Sequence, residues 1–179
     1  MKSKTSRLDR FISQNSDCAR ADVRLLVAQG RIHLDGQVAC SVQEKVTEFT
    51  HVVFDGLCLQ DNKPVYIMLN KPKGFVSATS DDKHPVVLDL IDHPQKNELH
   101  LAGRLDFNTT GLVLLTNDSA WSREISLPET KLPKVYEVTV AKPLTEAYVD
   151  AFRAGIYFEY ENLTTLPAEL EILSDYTAR

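Results

Sequence analysis

A polar break, Gln60-Asp61-Asn62-Lys63-Pro64, divides this 179-residue chain into two stretches with different apolar patterns. Before it, apolar residues recur at helical spacing and then alternate around Asp-Gly pairs. After it they run together, beginning with Val65-Tyr66-Ile67-Met68-Leu69. A polar segment ending in Pro at such a change of pattern reads as a linker. Two domains are expected, over 1–60 and 61–179.

In the first stretch, Leu8, Phe11 and Ile12 stand at helical spacing behind the candidate caps Thr5 and Ser6, which predicts a short helix. Val23, Leu26 and Val27 make the buried stripe of a second helix, which Gly30 stops in a left-handed turn. Arg20 and Arg24, four apart, share a face of that helix. Ile32 and Leu34 alternate with Arg31 and His33, and Asp35-Gly36 predicts a type I′ hairpin into Gln37-Val38. His51-Val52-Val53-Phe54 reads as a strand closed by Asp55-Gly56. In the second stretch Val65 to Leu69 reads as a fully apolar strand, Asn70-Lys71-Pro72-Lys73-Gly74 as a turn, and Phe75-Val76-Ser77-Ala78 as a strand resumed. Segment 79–85 is a polar, exposed loop. Further strands are expected at 112–115 and 135–140, and Glu169-Leu170-Glu171-Ile172-Leu173 is strand-like. A helix is expected over 145–154, with Tyr148, Val149 and Phe152 inward and Gly155 as its stop.

The charge is uneven. A net −5 hides an N-terminal segment, through Arg31, with seven bases against three acids, whereas Val135 onward carries eight acids and three bases. Lys2, Lys4, Arg7, Arg10, Arg20, Arg24 and Arg31 therefore suit a nucleic-acid backbone, or else a solvated helix face. Apolar runs of about five residues are too short for a membrane helix. The basic N-terminus leads into Ser13-Gln14-Asn15 rather than an apolar core, so no secretory signal is expected and residence is cytoplasmic. Cys18, Cys40 and Cys58 are odd in number and widely spaced, which predicts reduced, buried packing residues and neither disulfides nor zinc pairs. No G-x-x-x-x-G-K-S/T, G-x-G-x-x-G or H-E-x-x-H stands in the chain, so no ATP, dinucleotide or metal site is expected.

The segment Gly103-Arg104-Leu105-Asp106-Phe107-Asn108-Thr109-Thr110-Gly111-Leu112 draws most attention. In extended chain, Arg104 and Asp106 share one side while Leu105 anchors the other. A cation beside a buried carboxylate keeps it ionised, which would prepare a nucleophilic or basic Asp. The same spacing also suits a surface ion pair followed by a Thr-Gly turn.

Several motifs carry resemblances. Arg7-Leu8-Asp9 with Phe11-Ile12, then Ala19-Arg20, Leu25-Leu26, Gly30, Ile32, Leu34 and Asp35-Gly36, resemble the small RNA-binding module of ribosomal protein S-four, the αL motif, over roughly 5–55. Cys18 departs from it, standing where that family commonly has Ser. Gly103-Arg104-Leu105-Asp106 with Thr109, Gly111 and Leu112 resembles the G-R-L-D-x-x-T-x-G-L signature of bacterial ribosomal RNA pseudouridine synthases. Asn70-Lys71-Pro72-Lys73-Gly74 is similar to their N-K-P-x-G motif, and Lys134-Val135-Tyr136 to their K-x-Y segment. Asp82-Lys83-His84-Pro85, Ala102 and the run from Thr116 to Ser122 point to the small-subunit synthase A group.

That resemblance implies an α+β fold: a small αL-type RNA-binding domain, then a catalytic domain on a mixed, mainly antiparallel sheet. It implies cofactor-free isomerisation of one uridine in 16S ribosomal RNA, free or in a small-subunit assembly intermediate, by a cytoplasmic monomer. Large-subunit RNA is the alternative substrate, and a non-catalytic RNA-binding assembly factor the alternative class. Asp106 matches the catalytic carboxylate, with two routes open: attack on the ribose carbon, or removal of a ribose proton to give a glycal. Arg104, Tyr136, Thr109 and Lys71 are implied in substrate binding, Tyr136 as a stacking ring; Lys71 and Lys73 also suit scaffold support or plain turn lysines. Arg7, Arg10, Arg20, Arg24 and Arg31 are implied in RNA binding. Family members continue with a basic segment whose Lys or Arg pairs with the catalytic Asp, whereas this chain ends at Arg179; an N-terminal fragment is therefore expected.

Overall fold

Asp35-Gly36 and Asp55-Gly56 stand at positive φ, 50° and 83° in the first pair and 50° and 80° in the second. Two consecutive residues in this conformation make the tight turn whose twist matches paired strands. In the computed structural model, which describes residues 5–179, each pair closes a hairpin. Lys2 and Lys4 lie outside the described residues.

The chain divides into two units, the first ending at Lys131 and the second spanning Leu132–Arg179. The first begins with β1 (Ser6–Arg7), α1 (Leu8–Asn15), α2 (Val23–Ala28), β2 (Ile32–Leu34), β3 (Gln37–Val38), β4 (Lys45–Val46), β5 (Val52–Phe54) and β6 (Leu57–Gln60). Strands β3-β2-β5-β6 form one antiparallel sheet, and β1 pairs with β4. Leu8, Ile12, Val23, Leu26, Ile32 and Val52 close a core between the helices and this sheet. Gly30, at φ 67°, donates to the Val27 carbonyl at 2.9 Å and ends α2 as expected.

Four details differ from expectation. Arg7, with no side-chain cap bond, stands at the N-cap of α1, and Ser6 is a strand residue paired with Val46, because β4 takes up the backbone that a cap would otherwise serve. Arg20 lies in the turn before α2 and so shares no helix face with Arg24. Strand β6, not foreseen, carries the second hairpin as far as Gln60. Cys40 and Cys58 are exposed and Cys18 half-buried, all three free thiols, so only Cys18 packs against the core.

The same unit continues with β7 (Tyr66–Lys71), β8 (His100–Ala102), β9 (Gly111–Thr116) and α3 (Ser119–Ser126). Here β9 is central, flanked antiparallel by β7 and β8. A second core gathers Val86, Val87, Leu88, Leu99, Val113 and Leu115. Rather than fully apolar, β7 is two-faced: Tyr66, Met68 and Asn70 are exposed while Ile67 and Leu69 pack inward. The strand also continues through Asn70 and Lys71, residues assigned above to a turn, because both pair with β9. Residues 75–78 form no strand; Val76 makes one isolated bridge, to Val86. The polar loop 79–85 is exposed as expected.

The second unit holds β10 (Val138–Thr139), α4 (Glu146–Ala154), β11 (Tyr157–Phe158), β12 (Leu163–Thr164), β13 (Ile172–Ser174) and β14 (Thr177–Ala178). Strands β10-β14-β13 are antiparallel, and β11 pairs with β12. Strand β10 covers only two of the six residues expected over 135–140, since its ladder with β14 begins at Val138 opposite Ala178. On α4, Val149 and Phe152 are half-buried, but Tyr148 is exposed at 41% rather than inward. Gly155 ends the helix at φ 86°, and a side chain there would meet the Thr165 carbonyl oxygen at 2.5 Å.

Candidate active site

The alternation of β7 decides where Lys71 goes. Ile67, Leu69 and Lys71 occupy every second position and face one side, opposite Leu115, Val113 and Gly111 of β9. At Gly111 no side chain stands across from Lys71, whose stem is buried at 0% exposure. Its ammonium emerges beneath loop 103–110 and donates to the carbonyls of Thr109 at 2.8 Å, Pro72 at 3.0 Å and Phe107 at 3.3 Å. Three carbonyls match the three protons of an ammonium. Burial pulls the Lys71 pKa below the usual lysine range, and the negative charge of Asp106 opposes that shift.

Further bonds fix the same loop. The buried Ser77 hydroxyl donates to the Leu105 carbonyl at 2.6 Å and accepts from its amide at 3.1 Å. The Gly74 amide donates to the Phe107 carbonyl at 2.9 Å, and the Thr109 amide donates to the Asp106 carbonyl at 3.0 Å. Leu105 packs against the second core while Arg104 and Asp106 on either side are exposed, the sidedness expected of extended chain. No ion pair joins Arg104 to Asp106 among the described residues, and the carboxylate is not buried beside a cation as the sequence allowed. The loop thus presents an exposed carboxylate on a backbone that is tied down from below. Thr109 is half-buried and contributes its backbone to the scaffold.

The Lys71 ammonium is enclosed by backbone carbonyls, an arrangement that suits support of the loop, one of the roles its resemblance left open beside substrate binding. Tyr136, in the second unit, is 50% exposed and lies before β10, not on an alternating strand. Nothing local in the sequence distinguishes Ser77 from any other serine. The Lys71 burial did have a signal: the alternation of Ile67 and Leu69 simply continues two residues further.

The five N-terminal arginines fall into two groups. Asp9, 7% exposed, accepts from Arg20 Nε at 3.1 Å, Arg7 Nη2 at 3.0 Å and the Arg10 amide at 2.8 Å. Burial alone would push its carboxyl up, but the Arg20 guanidinium, the Arg10 amide and Arg7 hold it below the usual carboxylate range. Arg31 pairs with Asp55, its Nε donating at 2.7 Å, and lies 5.5 Å from the Phe54 ring centroid. Arg10 and Arg24 are exposed and have no ion-pair partner among the described residues. No group of three or more His, Cys, Asp or Glu is placed to hold a metal among the described residues.

Comparison with known proteins adds four findings. Residues 65–161 match the RNA pseudouridylate synthase family. The chain is 48% identical over 174 residues to the ribosomal small subunit pseudouridine synthase A of Pseudomonas aeruginosa, covering 97% of this chain and 76% of that protein. It is 38% identical over 174 residues to the enzyme of that name from Escherichia coli, covering 97% and 75%. A crystal structure of a pseudouridylate synthase matches with a TM-score of 0.62 at 38% identity, covering 96% of this chain and 74% of that one.

Proposed function

The chain belongs to the RNA pseudouridylate synthase family, and from that premise we propose that it isomerises a uridine of small-subunit ribosomal RNA to pseudouridine, with Asp106 as the catalytic carboxylate. The observation that carries the reading is the exposed Asp106 side chain on a loop held at Leu105, Asp106, Phe107 and Thr109. Preorganised backbone around a reacting group is what positions chemistry without rearrangement. The reaction breaks the bond from the ribose to N1 of uracil and forms one to C5; a proton leaves C5 and one is taken up at N1, so no electrons are gained or lost. The uridine must first leave its stack. Arg104, exposed two residues away, holds the nucleotide or fills its vacated place, and Tyr136 offers a ring for the uracil. Thr109 borders the nucleotide, while Lys71 acts from beneath, through the loop. The enzyme works as a monomer where small subunits are assembled, in the cytoplasm; no helix among the described residues is long and apolar enough to cross a membrane.

Incubating the chain with an unmodified small-subunit RNA transcript and mapping pseudouridine by carbodiimide-blocked reverse transcription tests this directly. One modified position is expected. Modification only of large-subunit RNA would reassign the substrate, and tight binding with no modified position would favour a non-catalytic assembly factor.

Residues 5–55 act as an αL-type RNA-binding domain within a division at 1–60 and 61–179, supported by two separate hydrophobic cores and by the basic residues on the first. Arg7, Arg10, Arg20, Arg24 and Arg31 form its RNA face. Arg10 and Arg24, without ion-pair partners among the described residues, offer their guanidinium groups to phosphate, whereas Arg7 and Arg20 are oriented by Asp9 and Arg31 by Asp55. Changing Arg10 and Arg24 together to Ala should weaken RNA binding and lower the slope of log affinity against log salt by about two, since each lost phosphate contact removes about one unit. An unchanged slope would place the phosphate contacts elsewhere.

A further inference from the structure

The residue directly after the catalytic carboxylate is Phe107, whose side chain is 39% exposed and belongs to neither core of its unit. Its position is nonetheless set. The Phe107 carbonyl takes the Gly74 amide and the Lys71 ammonium from below. Across from it, the His84 imidazole packs with ring centroids 5.1 Å apart and planes inclined by 53°. His84 is held in turn, because its amide donates to Asp81 Oδ1 at 2.8 Å, beside the Lys83 amide at 2.9 Å. Two exposed rings from separate loops, 79–85 and 103–110, are thus preset against each other, one of them on the residue that follows Asp106. Arg104, Lys73 and Lys83 belong to the same loops and the adjoining turn, exposed and without ion pairs among the described residues. The acids on these loops are Asp81, Asp82 and Asp106, and the first directs its carboxylate onto its own loop amides.

We propose that the Phe107–His84 ring pair is a stacking platform for the unpaired base adjacent to the target uridine. The proposal rests on the ribosomal RNA reading above. Extracting one uridine from its stack leaves its neighbour without a stacking partner on that side. An aromatic face replaces that partner whatever the base identity. Exposed cations on the same loops suit the phosphates on either side of that base and fix its register. A rigid ring that begins ordered loses little freedom when the base arrives.

The test compares Phe107→Trp and Phe107→Leu in the full chain, with the unmodified small-subunit RNA transcript as probe. Trp121 is the single native tryptophan and supplies the background emission. Saturating transcript should quench the added emission of the Trp variant. Leu keeps an apolar contact for His84, so that variant should unfold at the wild-type temperature yet bind the transcript about tenfold more weakly. The Trp variant should bind within about twofold of wild type, a rescue by ring chemistry. Unquenched emission at saturation would overturn the proposal, as would wild-type affinity in the Leu variant. Loss of stability together with affinity in the Leu variant would make the ring a packing residue. If wild-type chain binds the transcript but forms no pseudouridine, the isomerase reading fails while the quenching result still decides the platform.

Discussion

Asp106→Asn is expected to lower pseudouridine formation by about 10⁴-fold or more, the scale of losing a group that takes part in bond making. Asn keeps size and polarity while removing the carboxylate. None of the bonds that hold the loop uses the Asp106 side chain; they run to the backbone of Leu105, Asp106, Phe107 and Thr109. Thermal unfolding should therefore stay at the wild-type value, and RNA affinity should change by only a few fold. Single-turnover assays on the transcript, with affinity measured separately, make the distinction. Substantial turnover in the Asn variant would remove Asp106 from the chemistry. Both routes considered above, attack on the ribose and proton removal, require the carboxylate and are equally abolished.

Lys71→Met should act in the opposite way, on structure first and chemistry second. Met preserves most of the stem that fills the core beside Leu69 but removes the ammonium from three carbonyls. The Phe107 carbonyl keeps the Gly74 amide, while those of Pro72 and Thr109 lose a charged donor. A destabilisation of about 3 kcal/mol follows from hydrogen bonds to a charged group lost in a buried setting. Displacement of the loop by about 1 Å would lower turnover by about 100-fold. A lysine that touched RNA directly would behave differently: its loss would raise KM and leave the unfolding temperature alone. Unfolding midpoints together with separate kcat and KM values thus decide between support of the loop and contact with substrate.

The amino-acid sequence by itself determined those features that depend on a few neighbouring residues. Asp35-Gly36 forms its turn because both positions reach positive φ at small cost, and Gly30 and Gly155 end helices for the same reason. Strand β9 and helix α4 follow from apolar spacing within a single element. The signature around Asp106 singled out the loop proposed to carry the chemistry, because its residue types are specific. Tertiary structure alone decided how those pieces meet. Arg20 and Arg7 share the Asp9 carboxylate because α1 and the turn before α2 converge there, whatever their spacing in sequence. Cys40 and Cys58 are exposed because sheet edges and loops placed them so, although cysteine as a type favours burial. Tyr136 stands outside a strand because its segment meets no partner strand among the described residues before Val138. Lys71 shows the division most clearly. Its alternation with Ile67 and Leu69 is local, but the vacancy opposite it at Gly111 and two of its three carbonyls come from residues 36 to 40 positions away. Local preference depends on the chain's own torsions, whereas burial and pairing depend on register between distant segments, which only the folded chain brings together.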